Sequence, residues 1–324
     1  MLLGLAWGTR EEPSLMRLAA RAFVEALEEA DRSKAQLPMH VAQRRDWHYV
    51  PRERFGVALR ALDERERKAL RALLRTTLSA AGEQAVDAIV ALEDVLHELE
   101  STPAQSATWR DAGAYTICLF GDLASPDPWA WRFEGHHVVL HFTEIGNEVT
   151  LSPHFLGTNP ARHERAGRVV EPLGAEQALA RELVSALEGS LRERAHDSSP
   201  PPGDVLAGPG QWPRFSTEEG IALGELPESP RKLAERLLDV YVGRFEGAAR
   251  MRAEELTSER GSLRFLWIGA LQPGEPHYYR IHSPRFALEY QNSQSGANHV
   301  HTLWREWDGD FGGEKAGGST GSER

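Results

Sequence analysis

Disulfides are the first thing this sequence rules out. Its 324 residues include one cysteine, Cys118, so no bridge can form within the chain. Cys118 lies in the apolar run "AYTICLFGDL", where a free Cys packs as a small hydrophobe. Positive charge is also short: 37 Lys and Arg stand against 48 Asp and Glu, a net charge of −11. That balance argues against a nucleic-acid partner and against an anionic membrane surface. No stretch approaches the roughly 20 apolar residues of a spanning helix. The opening "MLLGLAWGTREEP" lacks a basic segment, so it is not read as a signal peptide. The expectation is a soluble, cytoplasmic protein, with export left open if the start codon lies elsewhere. Nucleotide and hydrolase motifs are missing as well: no G-x-G-x-x-G after a strand, no Walker loop, no G-x-S-x-G elbow, no H-E-x-x-H. No nucleotide cofactor is expected. "WDGD" lacks the twelve-residue calcium-loop pattern, and the Asp-Phe-Gly of "DGDFGG" has no kinase loops before it.

What is present divides by period. Apolar residues at helical spacing predict a helix over 14–35. A second, over 62–82, opens with an Asp63/Glu66 capping box and stops at Gly82; a third covers 83–100. The aromatic-rich "WHYVPRERFGVALRAL" connects the first two. From about 113 the composition turns to β-branched and aromatic residues, with "IGNE" (145–148) as a hairpin turn. A helix follows at 174–196. Ser229-Pro230, as N-cap and first position, opens another to about 258. Strand-like segments return after it. Each strand group is too short to stand alone, so the two are expected to share one sheet. The fold class is therefore α+β: an N-terminal helical segment packed on a mostly antiparallel sheet, with two further helices inserted between the strand groups. A helical part (1–110) and an α+β part (111–313) form one integrated domain, followed by a disordered tail (314–324). No internal repeat stands out.

Nine of the thirteen histidines fall in two windows that coincide with the strand groups. The first holds "EGHH" (134–137), the second "NHVH" (298–301). In an extended strand His299 and His301 share a face, whereas His136 and His137 point oppositely unless Gly135 marks a bulge. Clustered imidazoles suit Zn, Fe or Cu. The simplest site joins His299, His301 and one of His136 and His137, with an open position or a carboxylate. Glu134 then serves as general base or ligand, and Arg305 and Asn298 orient substrate. Arg305 has pairing with Glu289 as its alternative. Trp131 and Trp304, with Trp129 and Trp307, flank the motifs and can line a pocket or simply fill the core. His277 and His282 are read as structural.

The segments "WAWRFEGHHVVLHFT", "SPHFLGTNPA" and "FALEYQNSQSGANHVHTLWREWDGDFGG" resemble the domain of unknown function 3500 (DUF3500) family. "PRERFGVALRALDERERKALRALLRTTLSAAG" is similar to its N-terminal part, so the resemblance spans roughly 14–313. It marks Trp131, Glu134, Gly135, His136, His137, Glu289, Tyr290, Asn292, Gln294, Asn298, His299, His301, Trp304, Arg305, Asp310, Phe311 and Gly312. It implies no established activity. Two departures stand out: Ser283-Pro284 replaces a glycine turn, and His141 replaces a smaller polar residue.

The leading expectation is a metal-dependent hydrolase or oxidoreductase acting on an unidentified small molecule. The alternative is a non-catalytic binding protein with a Trp-rich pocket and structural histidines. The Pro/Gly-rich "SSPPPGDVLAGPGQWPRF" (198–215) is either a linker or a lid that brings Trp212 to the tryptophans flanking the motifs. Oligomeric state is not legible.

Overall fold

The computed structural model describes residues 13–106, 108–165, 167–213, 215–216 and 218–316. The opening apolar run up to residue 12 and the tail beyond 316 lie outside them. Of the expected tail, Glu314–Ala316 forms a short 3-10 turn, and the buried Ala316 accepts a hydrogen bond from Arg44 through its carbonyl.

The helices are shorter and more numerous than their periodicity suggests. The expected 14–35 helix is two, α1 (Leu15–Ala26) and α2 (Glu29–Ala35). Leu27 turns extended and buries its side chain in the core, while the Glu28 N–H bonds the Glu66 carboxylate at 3.2 Å. A tertiary partner replaces the next helical bond there. The capping box forms on α3 (Glu64–Leu74) as read. Gly82 is not a stop. It lies in the first turn of α4 (Ala80–Glu100), where a Cβ would fall 2.2 Å from the Arg244 carbonyl oxygen. Two further pairs follow: α5 (Gly174–Ser185) with α6 (Gly189–Ala195), and α7 (Glu228–Val242) with α8 (Gly247–Leu256). Four helices thus replace the two expected between the strand groups. The N-cap of α7 is Pro227, not Ser229.

The strands of both groups join one sheet, as expected, apart from a separate hairpin of β8 (His163–Arg165) and β9 (Arg168–Val170). From one edge the order is β1 (Gln36–Leu37), β3 (Thr116–Phe120), β4 (Trp129–Gly135), β5 (Val138–Ile145) and β7 (His154–Thr158). It continues with β15 (His299–Glu306), β14 (Phe286–Gln294), β13 (His277–His282), β12 (Arg264–Gly269) and β10 (His196–Asp197). β2 (Val57–Ala58), β6 (Glu148–Thr150) and β11 (Ile221–Ala222) attach to its strands. β1 and β2 come from the part expected to be helical. Antiparallel pairing of β7 with β15, with His154 opposite Trp304, joins the two groups. The "IGNE" turn links β5 to β6, and Ser283-Pro284 still closes the β13–β14 hairpin, the Ser283 N–H reaching the Phe286 carbonyl at 2.9 Å.

This order reads alike from either edge, a repeat the sequence reading missed. Each half runs helix pair, edge strand parallel to the strand beside it, short antiparallel strand, second helix pair, then meander. Ala20, Arg21, Val24, Leu27, Glu28, Arg32 and Ala35 recur as Ala180, Arg181, Val184, Leu187, Glu188, Arg192 and Ala195. Gly56 and Gly220, at φ +108° and +79°, each leave 2.3 Å between a would-be Cβ and a strand carbonyl oxygen, of Ile117 and Phe265 respectively. The retained positions are few and mostly dictated by packing, so the duplication is weak in the letters.

The helices cover one face of the sheet and form the main core with Trp131, Phe142, Trp304 and Tyr290. The other face carries a smaller cluster of Trp47, Tyr49, Val139, Phe155, Val205, Ala207, Leu303 and Phe311. No helix among the described residues is long and apolar enough to cross a membrane.

Burial holds three histidines remote from the two motifs well below their ordinary value of 6.5: His154 to about 3, and His277 and His282 to about 4. The unfolded chain takes up those protons near 6.5, the native one only near 3–4. Their contribution to stability is therefore complete above pH 6.5 and lost as pH falls from there toward 4. The melting temperature is expected to drop steeply over that window in circular dichroism. A constant melting temperature from pH 8 to 4.5 contradicts the burial of these rings.

Candidate metal centre

The "EGHH" motif does not run along a strand. β4 ends at Gly135 and β5 begins at Val138, so His136 and His137 form a hairpin turn. Gly135 marks no bulge; its bare Cα lies against the Tyr115 ring, 2.1 Å from where a Cβ would be. His137 adopts φ +66°, a left-handed conformation uncommon outside glycine and often found at functional sites. Its N–H donates to the Tyr49 carbonyl (3.1 Å) and its carbonyl accepts from Gly157 N–H (2.7 Å).

The strand-parity reading of "NHVH" holds. His299 and His301 face the same way at the start of β15, beside a one-residue irregularity in the β14–β15 register between Gln291 and Gln294. A bulge at a strand end re-aims side chains. The expected neighbourhood of the motifs also forms. Nε2 of His299 lies 2.9 Å from Nε2 of His137 and 3.0 Å from Nε2 of His301. One nitrogen of each of the three rings falls within 4.8 Å of the others. Bonds of about 2.1 Å to a shared ion set neighbouring nitrogens about 3.0–3.4 Å apart for angles between 90° and tetrahedral. His137 and His301 are buried and His299 is half-buried. Burial, reinforced by the neighbouring imidazoles, brings His299 down to about 3 and His137 well below its ordinary value. Both rings are therefore neutral at neutral pH, each with one nitrogen lone pair to offer.

Of the His136/His137 pair, then, His137 is the member at the centre. The His136 ring stacks on it, with centroids 3.7 Å apart, but its nitrogens face the Glu93 carboxylate and Arg110.

The other sequence candidates lie elsewhere. Both Glu134 oxygens contact arginines at 2.8 Å, Arg54 and Arg132. Asn298 accepts from Arg162 N–H (2.9 Å) and holds a loop against β15. Arg305 clamps Asp310, not Glu289, with two contacts of 2.8 Å. Glu289 instead accepts from Leu206 N–H, Ala207 N–H and the Tyr278 hydroxyl. Trp131 and Trp304 occupy the helix-covered face, across the sheet from the histidines, because Trp304 is an odd number of residues from His301. The aromatic rings beside His301 are Tyr49 (4.9 Å) and Phe155 (5.1 Å). Tyr49 was hidden in the connector, whose only signal was its aromatic content.

Two more residues escaped the sequence reading. Gly157 faces the cluster: a Cβ there would lie 2.9 Å from Cδ2 of His137 and 3.1 Å from Cδ2 of His301. Gly157→Ala is expected to cost about 1–3 kcal/mol by overpacking and to weaken metal binding sharply. Urea unfolding and a Zn²⁺ titration read the two effects. Gly203→Ala, with open space around it, is the silent control. Unchanged Zn²⁺ affinity in Gly157→Ala contradicts the geometry. The second residue is Asp204. Its Oδ1 is 2.6 Å from Nδ1 of His301, and its Oδ2 accepts from the Tyr49 hydroxyl at 3.0 Å. Burial acts to raise this carboxyl, but bonds from His301, Val205 N–H and Tyr49 outweigh it and hold the group below its ordinary range.

The 198–215 segment is packed rather than free. Trp212 meets Trp307 at 5.4 Å and lies over the Arg305 guanidinium at 4.6 Å, so the expected contact with a tryptophan flanking the motifs forms.

Comparison with curated proteins and with solved structures gives no match. A family model does match, over residues 9–313, and it covers both histidine motifs and the 198–215 segment. On that match the chain belongs to the DUF3500 family, described as a protein of unknown function.

Proposed function

We propose that the chain is a metal-dependent enzyme whose mononuclear centre is held by Nε2 of His137, His299 and His301. The observation that carries this reading is the position of His299 Nε2, which faces two other imidazole nitrogens at 2.9 and 3.0 Å. A neutral ring nitrogen has either one proton or one lone pair. One linear hydrogen bond therefore serves at most one of the two contacts, whereas a cation accepts all three lone pairs together. Three protein ligands leave a coordination position open, as in catalytic rather than structural sites. Imidazole ligands suit Zn, Fe and Cu, and such an ion polarises a carbonyl or activates water, so hydrolysis and oxidation both remain within its chemistry.

The substrate is a small molecule that approaches the half-buried His299 side, beside Tyr49 rather than Trp131 and Trp304. The net charge of −11 disfavours nucleic acid. One buried cysteine suits the reducing cytoplasm, where we place the protein.

Metal analysis of protein purified without a polyhistidine tag tests this directly. Close to one equivalent of transition metal per chain is expected, either as purified or after titration with Zn²⁺, Fe²⁺ or Cu²⁺. No binding of any of these ions overturns the centre.

A further inference from the structure

Asp204 lies in the Pro/Gly-rich segment, which is anchored to the sheet on both sides of it. Before it, the Pro202 carbonyl accepts from Gln291 Nε2 (3.2 Å) and Ser293 Oγ (3.1 Å), and the Gly203 carbonyl from Gln294 Nε2 (3.0 Å). After it, Leu206 and Ala207 donate their N–H groups to the fully buried Glu289 carboxylate at 2.6 and 2.8 Å. Between these anchors the Asp204 carboxylate meets His301 Nδ1 and the Tyr49 hydroxyl. Tyr49 stacks on Phe155 with centroids 4.1 Å apart, and its carbonyl takes the His137 N–H. One carboxylate therefore touches one candidate ligand, His301, directly and the residue that supports a second, His137.

We propose that Asp204 is the positioning residue of the centre, holding His301 as its Nδ1–H tautomer and aiming a bare Nε2 at the shared point. An ionised carboxylate only accepts, so the proton between it and His301 belongs to the ring. A neutral imidazole has one proton, and fixing it on Nδ1 leaves the lone pair on Nε2, which faces His299. Without the carboxylate the ring is free to take the Nε2–H tautomer, whose lone pair sits on Nδ1 and faces away from the shared point. Carboxylates behind ligating histidines raise metal affinity in this way. The assignment rests on the metal reading above. It makes the 198–215 segment part of the centre rather than a cover laid over it.

The test reads the tautomer without metal and the affinity with it. Side-chain ¹H–¹⁵N spectra of the apo protein, with His301 assigned through H301Q, are expected to show Nδ1–H. In D204A that signature is expected to be lost, Zn²⁺ affinity to fall roughly 10–100-fold, and the visible spectrum of the Co²⁺ form to change. D204N, whose amide oxygen still accepts the bond, recovers part of the affinity. The Asp204 side chain is 40% exposed, so apo stability changes little. An Nε2–H tautomer in wild type overturns the assignment even if metal binds. So does D204A with wild-type affinity and an unchanged Co²⁺ spectrum. A wild-type chain that shows Nδ1–H but takes up no Zn²⁺ or Co²⁺ overturns the metal reading, and the role of Asp204 with it.

Discussion

His299→Ala is expected to reduce Zn²⁺ affinity by more than the roughly 10–100-fold that losing a partner behind a ligand costs. His299 is the middle ring of the cluster, with Nε2 at 2.9 and 3.0 Å from its neighbours, and its removal leaves two ligands. It is also half-buried, so the apo fold should lose no more than about 1 kcal/mol, as for a side chain outside the packed core. His301→Ala should behave alike in metal content. For His137 the informative change is to Asn, which tolerates the left-handed φ of +66° and keeps the turn while removing the imidazole. His136→Ala is the control. Its nitrogens are engaged by Glu93 and Arg110, so it should keep most of the affinity while loosening the stack on His137. Isothermal titration on the four apo variants, beside their melting curves, decides the matter. If His136→Ala loses metal completely and His137→Asn binds like wild type, the wrong member of the pair has been assigned.

The sequence carried the pairing of the motifs better than their geometry. Two strand groups too small to stand alone had to share a sheet, and that placed "EGHH" near "NHVH". Period-2 alternation correctly put His299 and His301 on one face. The same rule failed for His136 and His137 because it assumed a continuous strand. The turn falls between two apolar stretches with no Asn-Gly or Pro to announce it, and only the left-handed φ of His137 reveals it. Alternation along β15 also excludes Trp304 from the site, since it opposes His301 across the strand; proximity in sequence misled there. Asp204, Tyr49 and Gly157 were not legible. Each reaches the cluster through a contact made only in the folded chain, and none sits in a motif. The helix breaks at Leu27 and Ala186 were hidden for a similar reason. Helical periodicity continues through both; at Leu27 the backbone turns extended and the Glu28 N–H meets Glu66, while past Ala186 the helix gives way to the extended Glu188.

Arg305 is where a functional expectation and a structural one separate most clearly. Its guanidinium makes a two-pronged pair with Asp310 at 2.8 Å, with side chains only 2% and 1% exposed. A third nitrogen donates to the Ala207 carbonyl at 2.6 Å, and the Trp47 and Trp212 rings lie 5.4 and 4.6 Å from the guanidinium carbon. No nitrogen is left to orient a substrate. Asp310→Ala strands this cation in a buried aromatic setting and is expected to cost about 3–5 kcal/mol, the usual consequence of breaking a buried pair. Arg305→Lys keeps the charge but loses the planar fork, so one of the contacts to Asp310 and the stacking on Trp212 go together. Because Ala207 belongs to the 198–215 segment, that variant should also be cut faster there in limited proteolysis. Urea unfolding measures the first effect and mass mapping of the fragments the second. A cost below about 1 kcal/mol for Asp310→Ala, the level of an exposed pair, means that water reaches the guanidinium. Arg305 would then be open to a ligand after all, and the clamp reading of this residue fails.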